Sequence, residues 1–165
     1  MTDASALLIA AKGAGITLTT AESCTGGMVA AAVTDIAGSS AIFDRGFVTY
    51  SNAAKIDLLG VLPATLDAYG AVSEQVASEM ANGAADRSGA DLAVSITGIA
   101  GPGGSDHKPE GRVCFGVSLA GNTTTSTLEF GSLGRAAVRR AATDHAIALL
   151  LAATHDLIKI QTQAR

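Results

Sequence analysis

Tryptophan is absent from the 165-residue chain, and phenylalanine and tyrosine together supply only 4% of it. A core without large rings must be assembled from Ala, Val, Leu and Ile, which a chain of this length can still do in one piece. Cysteine occurs twice, at Cys24 and Cys114, giving neither a disulfide framework nor metal-ligand spacing. Charge is sparse as well: 16% of residues, a formal net charge of -4 and no basic stripe, so a nucleic-acid partner is not expected. No uncharged run reaches membrane-spanning length, and Met1-Thr-Asp-Ala-Ser5 lacks the positive start of a signal peptide. The expectation is one domain over residues 1–165, cytoplasmic and without a membrane partner.

What the chain does have is 48% hydrophobic residues and 19 glycines, a balance that suits an α/β protein better than a β-sandwich. The stretch Thr20-Ala-Glu-Ser-Cys-Thr-Gly-Gly27 lies between the β-branched run 16–20 and the Ala-rich run 28–36. It therefore reads as a strand-to-helix turn, where the first N–H groups of a helix lack intrahelical partners. Such a turn can hold an anion or polarise a carbonyl, with Gly26 and Gly27 admitting a ligand close to the backbone. Ser23 there is a nucleophile if a base lies near. The plainer alternative is that Ser23 or Thr25 merely caps the helix.

Periodicity and punctuation predict helices over 3–13, 26–37, 52–59, 63–69, 74–88 and from about 132 through 157. Pro63 suits the first position of its helix, and Ser73 suits an N-cap. Strands are predicted over 16–20, 43–50, 91–97, 112–120 and 123–130, with Gly121-Asn122 as a tight hairpin between the last two. The Gly-rich segment 98–111 is too irregular for an element and long for an idle connection. Helices separate the first three strands, so these run parallel through right-handed crossovers, and the fourth returns antiparallel. That order gathers the 23–27 turn, segment 51–55, loop 98–111 and the start of the last helix at the carboxyl edge, where α/β folds bind ligands.

Lys55 follows Tyr50-Ser51-Asn52 just beyond the second strand, within reach of Ser23. A desolvated lysine loses its proton readily and can act as general base; a solvated lysine on a short helix is the ordinary alternative. Tyr50 could orient that amine or donate to an oxyanion, or simply pack. Cys24 rivals Ser23 as nucleophile, although neighbours at a strand end point to opposite faces and no histidine is close in the pattern. Arg135, Arg139 and Arg140 open the last helix against its dipole, a conflict that a ligand anion would resolve unless they are solvated at a frayed end. Arg135 and Arg139 share a face. His107, His145 and His155 have no partner at metal spacing, and Asp106 and Glu110 read as loop charges.

Four motifs resemble the CinA C-terminal domain family: Thr-Ala-Glu-Ser-Cys-Thr-Gly-Gly (20–27), Gly-Phe-Val-Thr-Tyr-Ser-Asn-Ala-Ala-Lys (46–55), Gly-Ala-Val-Ser-Glu (70–74) and Thr-Gly-Ile-Ala-Gly-Pro-Gly-Gly (97–104). The likeness runs from about residue 6 to 151. It implies a three-layer α/β/α fold with a mixed, mostly parallel five-stranded sheet whose fourth strand is antiparallel. It also implies hydrolysis of the carboxamide of nicotinamide mononucleotide to nicotinate mononucleotide and ammonia, without metal or cofactor. Carried over by motif, the catalytic group is Ser23 and Lys55, with Tyr50 beside them. Substrate contacts fall on Cys24, Thr25, Gly26 and Gly27, on Thr97, Gly98, Ala100 and Gly101, and on Arg135 and Arg139 through the Arg-x-x-Val-Arg pattern. This sequence departs from the family in a shorter Gly-rich loop, in Glu110, and in Gly-Ser-Leu-Gly-Arg before the last helix. A non-catalytic nucleotide- or phosphate-binding module is the other functional class; it has no need of Lys55. The Ala-rich helices could also pack across a homo-oligomer interface.

Overall fold

A computed structural model describes residues 3–165. Helix α1 (Asp3–Ala14) leads to β1 (Leu18–Glu22), and α2 (Met28–Thr34) follows the turn at 23–27. A 3-10 turn at Ser39–Ala41 precedes β2 (Phe43–Val48), after which come α3 (Asn52–Leu59), α4 (Pro63–Tyr69) and α5 (Glu74–Ser88). Strands β3 (Leu92–Gly98), β4 (Arg112–Leu119) and β5 (Asn122–Glu129) and the long helix α6 (Arg135–Gln163) complete the chain. Among the described residues no helix is long and apolar enough to cross a membrane.

The five strands lie in the order β2-β1-β3-β4-β5. β1 is parallel to both β2 and β3, whereas β4 is antiparallel to both β3 and β5. The expected mixed sheet, with the fourth strand reversed, is therefore present. Leu18, Leu92, Val94, Ile96, Val113 and Phe115 join Leu7 of α1, Val29 of α2 and Val138 and Leu150 of α6 in one apolar cluster. Ala21 and Ala93 join Val76, Met80 and Ala84 of α5 in another, closed by Leu59, Val61 and Leu66. Because these sheet residues are small, α5 can lie close, and Ser95 Oγ donates to its Ala77 carbonyl at 2.6 Å. Gly83 of α5 abuts the backbone of Leu59 so tightly that a Cβ would push α3 away, and α3 carries Lys55.

Caps set the helix starts. Ser51 Oγ accepts from the Ala54 amide, and Ser73 Oγ from the Val76 amide, as expected at Ser73. Pro63 begins α4 as predicted. Several boundaries move, among them the end of β2, at Val48 and not 50, and both ends of α6. β1 lies two residues later than the β-branched run, since a parallel interior strand is buried on both faces and shows no alternation to read. α2 ends at Thr34, its remainder turning through Gly38 into the 3-10 turn. The hairpin turn is Ala120–Gly121, both at positive φ, with Leu119 paired to Asn122. That register keeps Val117 and Leu119 against the α6 side, and a one-residue slip would reverse them.

Candidate active site

Ser23 leaves β1 still tethered to the sheet, its N–H donating to the Ile96 carbonyl at 2.9 Å. Thr49, just past β2, donates its N–H to the Glu22 carbonyl at 2.9 Å, so both strand ends stop level with each other. The Ser51 cap then starts α3, whose first turn delivers Lys55 to its buried side. Lys55 Nζ lies 3.0 Å from Ser23 Oγ and 3.0 Å from the Thr49 carbonyl. Lys55 is 1% exposed and Ser23 8%. Among the described residues no carboxylate forms an ion pair with this amine. Burial pushes the Lys55 amine below its ordinary value of 10.5, because the charged form loses its hydration.

The turn beside Ser23 is held by two charges of the chain itself. Glu22 is fully buried, and its Oε1 accepts from Thr25 Oγ1 (2.7 Å) and the Val29 amide (2.9 Å). Its Oε2 accepts from the Ala30 amide at 3.0 Å. The anion expected from a ligand at the start of α2 is thus supplied by Glu22, which completes the orphan donors of that helix. From α6, Arg139 Nε donates to the Cys24 carbonyl (3.0 Å) and Nη2 to the Thr25 carbonyl (3.3 Å). The conflict between Arg139 and the helix dipole is resolved by main-chain carbonyls instead of a ligand phosphate. Gly26 and Gly27 have φ of 57° and 101°, a left-handed backbone that only glycine adopts freely. Gly26, Gly27, Arg139 and the side chain and carbonyl of Thr25 therefore build the turn from behind the cavity.

That cavity, of about 360 Å³, is small for a ligand site but within the usual order. Ser23, Cys24, Lys55, Tyr50, Asn52 and Arg135 line it together with Ala71–Val72 and the run from Thr97 to Asp106, so Thr97, Gly98, Ala100 and Gly101 stand where they were expected. Thr97 Oγ1 is turned to the Ala71 carbonyl at 2.8 Å and ties the loop between α4 and α5 to the sheet. Burial pushes the Cys24 thiol up to about 12, which favours its protonated form near neutral pH. Tyr50 is 59% exposed at the mouth. Its hydroxyl accepts from Arg135 Nη2 at 2.6 Å, while the Lys55 amine bonds Ser23 and the Thr49 carbonyl. Arg135 Nη1 donates to the Gly101 carbonyl at 2.8 Å.

Two residues read as incidental charges or not read at all brace the Gly-rich loop. Glu110 accepts from the Gly103 amide (2.7 Å) and from the Gly134 amide at the start of α6 (3.0 Å). Lys108 Nζ donates to the Tyr69 carbonyl (2.7 Å) and the Val72 carbonyl (2.6 Å). Asp106 and His107 make the tight reversal between the paired Ser105 and Lys108, at φ of 51° and 62°. The half-buried His145 meets the core residue Phe115 edge-on, and among the described residues no group of His, Cys, Asp and Glu could hold a metal. A wider groove of about 940 Å³ runs between α5 and β5, but its Glu74 is engaged by Thr125 and Thr127 and burial pushes the thiol of its Cys114 above the ordinary value.

An α/β/α protein with a buried hydroxyl–amine pair at the carboxyl edge of its sheet is the class this geometry defines. The family model of the CinA C-terminal domain matches residues 2–154, and the chain belongs to that family. It is 56% identical over 152 residues to nicotinamide-nucleotide amidohydrolase PncC of Enterobacter agglomerans, spanning 91% of this chain and 90% of that protein. The protein of the same name from Escherichia coli K12 is 56% identical over 142 residues, 86% of each chain. The crystal structure of competence/damage inducible protein CihA from Agrobacterium tumefaciens superposes with a TM-score of 0.89 at 48% identity, covering 92% of this chain and 93% of that one.

Proposed function

We propose that the chain is a nicotinamide-nucleotide amidohydrolase that converts nicotinamide mononucleotide to nicotinate mononucleotide and ammonia by Ser–Lys acyl transfer. The observation that carries this reading is the 3.0 Å approach of Lys55 Nζ to Ser23 Oγ inside the protein. A neutral Lys55 takes the Ser23 proton as Oγ attacks the carboxamide carbon. The negative oxygen that forms is met by backbone N–H groups, of which that of Thr25 has no acceptor within the described residues. Protonated Lys55 then gives its proton to the departing nitrogen, which leaves as ammonia. Water, deprotonated by Lys55, attacks the acyl-serine and releases the acid.

Arg135 and the free amides of the Gly-rich loop hold the phosphate at the mouth, where a fork of donors suits it. Names of close relatives support the substrate class. A module that only bound nucleotides would gain nothing from a buried amine without a counter-charge, which costs stability. Ammonia release from nicotinamide mononucleotide by the wild type, lost in Ser23→Ala, is the expected result. Release by Ser23→Ala at the parent rate would overturn the assignment.

A further inference from the structure

Arg139 and Glu22 are oppositely charged and both grip the Ser23–Gly27 turn, yet they share no ion pair. Glu22 holds Thr25 by its side chain, while Arg139 holds it by its carbonyl. The two bonds from Arg139 fall on adjacent peptide units. The Cys24 carbonyl shares its rigid plane with the Thr25 amide, so fixing one fixes the other. A guanidinium on that carbonyl also polarises the unit and strengthens its N–H as a donor. Of the amides in this turn, Ser23 donates to Ile96, Gly26 to Ser23 and Met28 to Thr25. The Cys24 amide faces its own thiol, and Thr25 keeps its amide unengaged within the described residues.

We infer that Arg139 is a positioning residue that sets the Thr25 amide as an oxyanion donor beside Ser23, and that it does not hold the substrate's phosphate. This deepens the amidase reading and rests on it. Arg139 differs in this from Arg135, which lies one helical turn away, lines the cavity and keeps its guanidinium at the exposed mouth. An arginine is required because its planar fork spans two neighbouring carbonyls, which a lysine ammonium does not match.

The test is steady-state ammonia release from nicotinamide mononucleotide by the wild type, Arg139→Met and Arg139→Lys, with thermal unfolding of each. Removal of an oriented oxyanion donor lowers kcat by about a hundredfold or more, so disordering the donor in Arg139→Met should lower it by about ten- to a hundredfold. KM should stay within about threefold, the pattern of a contact felt in the transition state alone. Arg139→Lys, able to reach one carbonyl, should fall between. A KM increase of about tenfold with kcat retained would return Arg139 to phosphate binding and overturn the inference. Should Arg139→Met fail to fold, Arg139→Lys decides: a lower kcat at unchanged melting temperature supports the inference, and an unchanged kcat overturns it. Absence of ammonia with the wild type would remove the amidase reading and this inference together, whereas an active wild type with unchanged variants removes the inference alone.

Discussion

Two glycine-containing turns border the same cavity, and they are held in opposite ways. The turn at 23–27 is buried as far as Thr25 and closed from within: Glu22 occupies the donors of α2, and Arg139 occupies the carbonyls. The loop at 98–111 is exposed, braced at its ends by Glu110 and Lys108, with Arg135 and Tyr50 at its rim. A buried turn with its own charges satisfied is pre-organised, which is what stabilising a transition state requires. An exposed loop with a spare arginine can exchange internal partners for a ligand. On this comparison chemistry belongs to the first turn and substrate capture to the second, so substitutions in the two should divide between kcat and KM.

Lys55→Met carries the largest effect, because it removes the proposed base while keeping the volume. Ammonia release should fall by about a thousandfold or more. In the wild type the low-pH limb of kcat/KM should lie below 10.5, since burial lowers the Lys55 value. The sign for stability is the reverse of activity. A lysine whose folded value is depressed weakens the fold as pH drops from the unfolded value to the folded one, because the unfolded chain binds the proton more readily. Lys55→Met should therefore melt higher than wild type at pH 7, by about 1 kcal/mol, with the advantage shrinking as pH approaches 10.5. A variant that melts lower at pH 7 and still turns over would deny both the strain and the base.

Glu22→Gln is next and probes the inner turn without touching the cavity. The amide keeps one acceptor oxygen but turns an N–H₂ toward a helix amide, leaving a buried donor unmatched. A loss of about 2 kcal/mol is expected, or roughly 4–8 °C in melting temperature for a chain of this size. Below the melting range kcat should drop more than KM rises. Thermal unfolding and initial rates, measured at one pH, decide whether the grip on Thr25 matters.

How much of this was readable beforehand follows from the physics of each feature. Connection rules operate on element order alone, so the convergence of Ser23 with Lys55 was accessible once the crossovers were assigned. The purpose of a glycine was not: Gly26 and Gly27 look the same whether they admit a ligand or a left-handed backbone. Glu22 sits inside a strand, where a carboxylate is unexpected until the following helix turns its amides toward it. Glu110 and Lys108 bond to main-chain groups distant in the sequence, and no spacing encodes those partners. Arg135 and Arg139 share a helix face, yet one meets the cavity and the other the back of the turn. Periodicity reports the shared face but not what the neighbouring segment presents to it.

Tyr50→Phe should have the smallest effect and divides the two turns most finely. Its hydroxyl bonds Arg135 in solvent, and Arg135 keeps the Gly101 carbonyl when the hydroxyl is gone. An exposed hydrogen bond of this kind contributes on the order of 0.5–1 kcal/mol, so KM should rise about two- to fivefold. The value of kcat should stay unchanged, because nothing in the proton path has been altered. Arg135→Gln removes the donor itself, and its KM should rise further in the same direction. Initial rates over a range of nicotinamide mononucleotide concentrations separate the two parameters. A tenfold fall in kcat for Tyr50→Phe would draw the rim into the chemistry and dissolve the division between the buried turn and the exposed loop.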